Sequence, residues 1–287
     1  MEHDLSQWVG RTQEARDTIT AGPLNRFAVT LDHKGPPYAA GDVIPPLAHW
    51  IFFLPETPQS EIGYDGHAKR GGFIPALEEF PRRMWAGSRI SFLKDIRVGD
   101  ELTRISRIAA VKPKTGASGS MVFVTVRHEF SRPGEEPALV DEHDIVYRSL
   151  SGAAATPAPK LVEPGAWRRT LTPDPVLLFR YSALTFNGHR IHYDRDYVTK
   201  EEGYPGLIVH GPLIATLLLD LIGRNAPEAR VDSFTFRAAS PVFDGSEMSV
   251  NASLPTEDGS VSLWAANAQG GLVMSAEAKI SRHEARA

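Results

Sequence analysis

An apolar helical segment followed by four segments of two-residue period occurs twice in this chain, and the repeat limits its fold more than any other feature. In the first copy, Leu47–Leu54 is a compact apolar run between Pro46 and Pro55, read as a short buried helix, and the alternating segments are 89–92, 101–111, 121–130 and 139–147. In the second copy the apolar helix spans about 212–222, and the alternating segments are 233–239, 248–254, 261–267 and 272–280. Alternation places every second side chain on one face of a strand, and Gly99-Asp100, Lys114-Thr115-Gly116 and Arg132-Pro133-Gly134 supply turns. The pattern predicts one helix wrapped by a curved antiparallel sheet, twice, with the two sheets joined so that neither bares an edge at the junction. Local wording repeats too: Ile90-Ser91-Phe92 leading to Val98-Gly99-Asp100 parallels Phe234-Thr235-Phe236 leading to Val242-Phe243-Asp244-Gly245.

Residues 151–165, with four alanines and three prolines, read as a linker between an N-terminal unit, 1–150, and a C-terminal unit, 166–287. Apolar residues near helical spacing over 3–21 predict an amphipathic opening helix ended by Ala21-Gly22-Pro23, and the Gly-, Pro- and charge-rich stretch 55–81 reads as an excursion from the core. The chain has 287 residues, a net charge of -4 and scattered basic residues, which argues against nucleic acid as a partner. No cysteine is present, so thiolate nucleophiles, disulfides and Cys-based metal sites are excluded. The acidic N-terminus lacks the form of a secretory signal and the apolar stretch 207–223 is too interrupted to span a bilayer, so no membrane partner and a cytoplasmic location are expected.

The densest polar cluster is 181–194, Tyr-Ser-Ala-Leu-Thr-Phe-Asn-Gly-His-Arg-Ile-His-Tyr-Asp, immediately before the second apolar helix. Gly188 permits a bend across which Asn187 and His192 can converge on one water. Adding water to an α,β-unsaturated thioester needs a base, a group that orients the water, and donors for the enolate oxygen. His192 suits the base, since a neutral imidazole is abundant near pH 7. Asn187 suits the orienter, and Gly211, at the start of the helix, can aim its N–H at the thioester carbonyl where the helix dipole favours negative charge.

The run Phe186–Asp194, with Gly203-Tyr204-Pro205-Gly206-Leu207-Ile208-Val209-His210-Gly211, resembles the hydratase motif of the MaoC-like, R-specific enoyl-CoA hydratase family of hotdog-fold proteins. The resemblance implies an α+β double hotdog, an acyl-CoA thioester substrate, no cofactor and no metal. It places the family's catalytic histidine on His192, its aspartate on Asn187 and its carbonyl-binding glycine on Gly211. An amide orients water but accepts no proton, so the carboxylate's role does not transfer to Asn187 unchanged. The wording of 185–194, with Met84-Trp85-Ala86-Gly87 and Asp144-Ile145-Val146-Tyr147-Arg148, is similar to the subgroup of mesaconyl-C4-CoA and itaconyl-CoA hydratases and mitochondrial hydroxyacyl-thioester dehydratases. That subgroup implies a branched dicarboxylic acyl-CoA, itaconyl-CoA or mesaconyl-C4-CoA, hydrated to citramalyl-CoA by a homodimer or higher oligomer, with the N-terminal unit forming the other wall of the acyl tunnel.

Competing readings stand beside these. Arg190 suits the substrate's free carboxylate, and equally a salt bridge to Asp194 or Glu201. Tyr193 and His189 are further substrate-contacting candidates, and Arg237 either meets a coenzyme phosphate or is a solvated charge. His189, His192 and His210 offer a weak metal pattern, Asn187 also suits a simple turn, and His49 reads as structural. Alternative activities are a hotdog thioesterase and the 3-hydroxyacyl-thioester dehydration of fatty acid synthesis; a non-catalytic acyl-CoA binder is the remaining class.

Overall fold

The computed structural model describes residues 5–77, 79–80, 82–116, 119–148 and 159–282. Ten strands form one antiparallel sheet in the order β1-β3-β4-β5-β2-β7-β10-β9-β8-β6. β1 is Thr12–Thr18, β2 Arg82–Phe92, β3 Glu101–Gly116, β4 Gly119–Ser131 and β5 Leu139–Arg148. β6 is Trp167–Leu171, β7 Ala229–Ala238, β8 Met248–Ala252, β9 Ser260–Asn267 and β10 Leu272–Arg282. The order reads the same from both ends if each strand of the first half is exchanged for its counterpart in the second. β2 and β7 carry the repeated sequence pattern and pair with each other, Ile90 opposite Phe234 and Ser91 opposite Ser233. The repeated strands thus join the halves into one double hotdog, and the central approach is tight: a Cβ on Gly87 would lie 2.3 Å from the Phe236 carbonyl oxygen. Most of the predicted linker, 151–158, lies outside the described residues.

The halves differ in what the sheet wraps. In the second half, α4 (Gly211–Asn225) fills the concavity, with Leu213, Leu217, Leu218 and Leu221 all buried. Pro212 fits the first turn, where its missing N–H costs no helical bond. Burying each of those leucines contributes about 1.5–3 kcal/mol, which is why the helix is apolar on nearly every side. In the first half, Leu47–Leu54 shrinks to a single 3-10 turn over Ala48–Ile51. Its His49 is buried and bonds Asp141 at 3.1 Å, sharing one carboxylate oxygen with the Trp50 indole N–H at 2.9 Å and with His143 at 2.7 Å.

The predicted opening helix over 3–21 does not form. Leu5–Trp8 is one 3-10 turn, and 12–18 is the edge strand β1, paired with β3 from Thr12 opposite Arg107 to Thr18 opposite Glu101. Pairing to an available sheet edge overrides the weak helical spacing of a short segment. Ala21-Gly22-Pro23 opens a helix rather than closing one: α1 is Ala21–Thr30, with Pro23 in its first turn. Two further helices precede α4, α2 (Pro175–Thr185), capped by the Asp174 carboxylate accepting the Leu177 N–H at 2.7 Å, and α3 (Arg195–Lys200).

Candidate active site

The site forms where the end of α2, the start of α4 and a loop of the first half meet. α2 ends at Phe186, whose φ of 49° is left-handed, and the Asn187 N–H returns to the Ser182 carbonyl at 2.8 Å. The sharp turn expected at Gly188 is therefore made one helix-end earlier, at Phe186. Gly188 is needed for a different reason: the Gly66 carbonyl oxygen lies 2.9 Å from where its Cβ would be, so only glycine lets the two loops meet.

His192 is buried, and its Nδ1 lies 2.7 Å from the Ile208 carbonyl. That carbonyl is itself held, because Ile208 N–H donates to Ile191 O at 3.0 Å and residue 208 bridges Phe243. A carbonyl only accepts, so Nδ1 carries the proton and Nε2 presents its lone pair. Burial pushes the imidazole down to about 4, against the opposing pull of the Ile208 carbonyl, so it is neutral and basic at physiological pH. His210, the residue before α4, stacks on His192 with ring centroids 3.7 Å apart and 17° between planes. The His210 Nε2 bonds the Ser182 hydroxyl at 2.8 Å, which fixes that ring in turn. The stack places His192 beside the first residue of α4, Gly211, where helix N–H groups have no intrahelical acceptor. A Cβ on Gly211 would meet nothing within 4 Å, so the helix tip faces open space.

The sequence did not mark the contribution of the excursion 55–81. Gly63–His67 lies directly on the 186–194 loop: Arg190 N–H donates to Asp65 O at 2.9 Å, and a Cβ on Gly66 would fall 1.8 Å from the Gly188 carbonyl oxygen. Asp65 Oδ2 bonds His67 Nδ1 at 2.9 Å, and the His67 ring stands 4.0 Å from that of His189. His189 in turn meets His192 edge-on at 5.6 Å. Burial pushes His189 down to about 2, and the crowding of the His67 and His192 rings further disfavours a proton there, while the His67 bond holds Asp65 well below the usual carboxylate range. Asp65, His67 and His189 offer ligand atoms within 4.8 Å of one another and could hold a divalent cation. The trio differs from the His189, His192 and His210 pattern read in the sequence. The Asp65–His67 bond already satisfies both of its groups without an ion.

The other candidates fall out as follows. The Asn187 side-chain oxygen accepts the His189 N–H at 3.0 Å, the turn-forming role, and this anchors the loop that carries both histidines. Arg190 makes the structural salt bridge: it reaches Asp194 through Nε at 3.0 Å and Nη2 at 2.7 Å, donates to Tyr64 O, and lies over the Tyr64 and Tyr197 rings. Three of its five N–H donors are thereby engaged by protein, in keeping with the salt-bridge reading of this residue. Tyr193 is half exposed, with its hydroxyl donating to Gly188 O at 3.0 Å. Arg237 is exposed on β7, on the face opposite the buried Phe234 and Phe236.

A double hotdog with a pinned imidazole beside a bare helix tip defines a hydro-lyase of the MaoC-like kind. Residues 47–244 match the hydroxyacyl-thioester dehydratase type 2 family, and the chain belongs to it. A mesaconyl-C(4)-CoA hydratase of Chloroflexus aurantiacus is 45% identical over 84% of this chain and 86% of its own length. Among solved structures, a MaoC-like dehydratase from Phytophthora capsici superposes with a TM-score of 0.70 at 14% identity, over 96% of this chain and 97% of that one. A Mycobacterium tuberculosis protein described as a double hotdog does so with a TM-score of 0.55 at 15% identity, over 95% and 96%. No helix among the described residues is long and apolar enough to cross a membrane.

Proposed function

We propose that the chain hydrates the carbon-carbon double bond of a branched dicarboxylic acyl-CoA, itaconyl-CoA or mesaconyl-C4-CoA, to citramalyl-CoA. The observation that carries this reading is the locked tautomer of His192, with its Nε2 lone pair left for chemistry next to the tip of α4. On mesaconyl-C4-CoA, whose double bond is conjugated with the thioester, His192 Nε2 takes a proton from water and the hydroxyl adds to the β-carbon. Itaconyl-CoA, with its double bond one position further out, follows this route only after that bond has moved into conjugation. The thioester oxygen gains negative charge and is stabilised by the Gly211 N–H and the dipole of α4. The imidazolium then returns its proton to the α-carbon and the enolate collapses to the saturated thioester. An imidazole near 4 is a modest base but, once protonated, a strong acid, which favours the second transfer. Asn187 acts through the loop it anchors and through its amide, whose nitrogen can donate to the water. The 45% identity to the Chloroflexus hydratase supports the substrate class.

The reverse direction, dehydration of a 3-hydroxyacyl thioester, uses the same atoms, and the matching family's description supports it as the second reading. The test is incubation of purified protein with mesaconyl-C4-CoA, itaconyl-CoA and crotonyl-CoA, with mass spectrometry for the gain of one water. Hydration of crotonyl-CoA alone would overturn the dicarboxylate assignment. Release of free thiol without hydration would indicate a thioesterase.

A further inference from the structure

With Arg190 occupied by Asp194, a dicarboxylic substrate needs another cation, and the structure offers one in the first half. A cleft of about 300 Å³ opens beside the catalytic loop, its walls including Tyr64, Asp65, His67, Lys69, Arg70 and Arg83. The three cations differ in what holds them. Lys69 donates to the Ser60 carbonyl at 2.8 Å, and Arg70 reaches the Leu77 and Phe80 carbonyls at 2.9 Å each. Arg83 lies on β2 directly opposite Tyr147 of β5, so the two side chains share one face of the sheet. Tyr147 is buried, so the register places Arg83 on the inner face, on the same side as Trp85, whose ring lies 4.1 Å from His143.

Among the described residues no carboxylate pairs with Arg83, whereas Arg82 and Arg190 each have one and Arg89 has two. Asp65 borders the same cleft, but both its oxygens are engaged by His67, through the backbone N–H at 3.0 Å and Nδ1 at 2.9 Å. A partly buried guanidinium that meets no carboxylate among the described residues has donors to spare, and its five N–H groups suit a carboxylate in a fork. It lines the same cleft as His67, whose ring lies 4.0 Å from that of His189.

We infer that Arg83 is the residue that recognises the free carboxylate of the acyl group and so selects a dicarboxylic thioester over a plain one. This rests on the substrate class proposed above. The chemistry fits the place. In an α,β-unsaturated thioester with a carboxylate on the β-carbon, that carboxylate is one bond from the carbon that takes the hydroxyl, so its cation must stand next to the catalytic imidazoles. Arg83 shares the cleft with His67, which faces His189, and belongs to the half that holds no catalytic base. Specificity then comes from the first half and chemistry from the second. The enzyme thereby gains a penalty against the wrong substrate: a monocarboxylic ester leaves the guanidinium unpaired.

The test reads the ratio of kcat/KM for mesaconyl-C4-CoA to that for crotonyl-CoA in the wild type and in Arg83→Lys, Arg83→Gln and Arg83→Met. Removal of a partly buried charge partner is expected to lower the ratio on the order of 100-fold in Arg83→Gln and Arg83→Met, with Arg83→Lys recovering part of it. Tyr147→Phe, which removes the hydroxyl but not the guanidinium, should move the ratio far less. Inhibition by succinyl-CoA and by butyryl-CoA, saturated esters that differ by the carboxylate, gives the same ratio without turnover and serves for any variant too slow to assay. If the wild type already prefers crotonyl-CoA, the substrate class is wrong before Arg83 is touched. If it prefers the dicarboxylic ester and neither ratio moves in the variants, Arg83 alone is misassigned.

Discussion

The acid limb of the rate profile is where burial of His192 should be most visible. An exposed imidazole near the ordinary value of about 6.5 would be only about 3% neutral at pH 5. Pushed down to about 4 by burial, the same ring is about 90% neutral at pH 5 and keeps nearly all its basic form. The kcat/KM for hydration should therefore be flat from pH 7.5 to about 5 and fall only near 4, a difference of roughly 30-fold at pH 5 between the two cases. Stability runs the opposite way. The folded value lies below the unfolded one, so the unfolded chain binds the proton first, and this contribution to stability is complete above about 6.5 and is lost as pH falls toward 4. By pH 5 the loss from His192 alone is about 2 kcal/mol, appreciable against a net stability of 5–15 kcal/mol. The assay is initial rate against pH at low substrate, with circular dichroism at each pH to separate unfolding from titration. An acid limb centred near 6.5 in protein that remains folded would show that the base is an exposed group and not the ring pinned to Ile208.

Other outcomes follow from the same geometry. His192→Ala should lower kcat by about 10²–10⁴ while leaving binding of a saturated acyl-CoA, followed by calorimetry, within a few-fold; retained turnover would remove it as the base. Gly66→Ala puts a Cβ 1.8 Å from the Gly188 carbonyl oxygen at a φ of +88°, so the loop must lift from the catalytic segment. The variant should lose at least 1–3 kcal/mol in urea unfolding and most of its activity. Asp141→Ala removes the carboxylate shared by His49, Trp50 and His143 in the first half's core, and should cost about 3–5 kcal/mol of stability, read as a lowered Tm.

Two features of the second half were readable in the chain because their causes are local. The apolar run after Pro212 can only be a buried helix, and a two-residue period between turns can only be a strand with one face inward. The cluster 187–192 announced itself because polar residues that dense beside an apolar helix must have partners or a task. The opening segment does not announce itself as a strand because Thr12–Thr18 has no strong period of its own, and only the free edge of β3 makes it one. Likewise sequence alone points to Gly188 for the bend because glycine is the usual left-handed residue, whereas the helix end places it on Phe186.

Strand pattern, helix and candidate base were thus encoded in neighbouring residues, where backbone sterics and burial act over a few positions. Which nitrogen of His192 is free, which arginine is spoken for, and that Asp65 and His67 sit more than a hundred residues upstream yet against His189 were decided by tertiary structure. Those facts depend on carbonyls, carboxylates and rings delivered from distant parts of the chain. A hydrogen bond has a range of about 3 Å in space and none along the sequence.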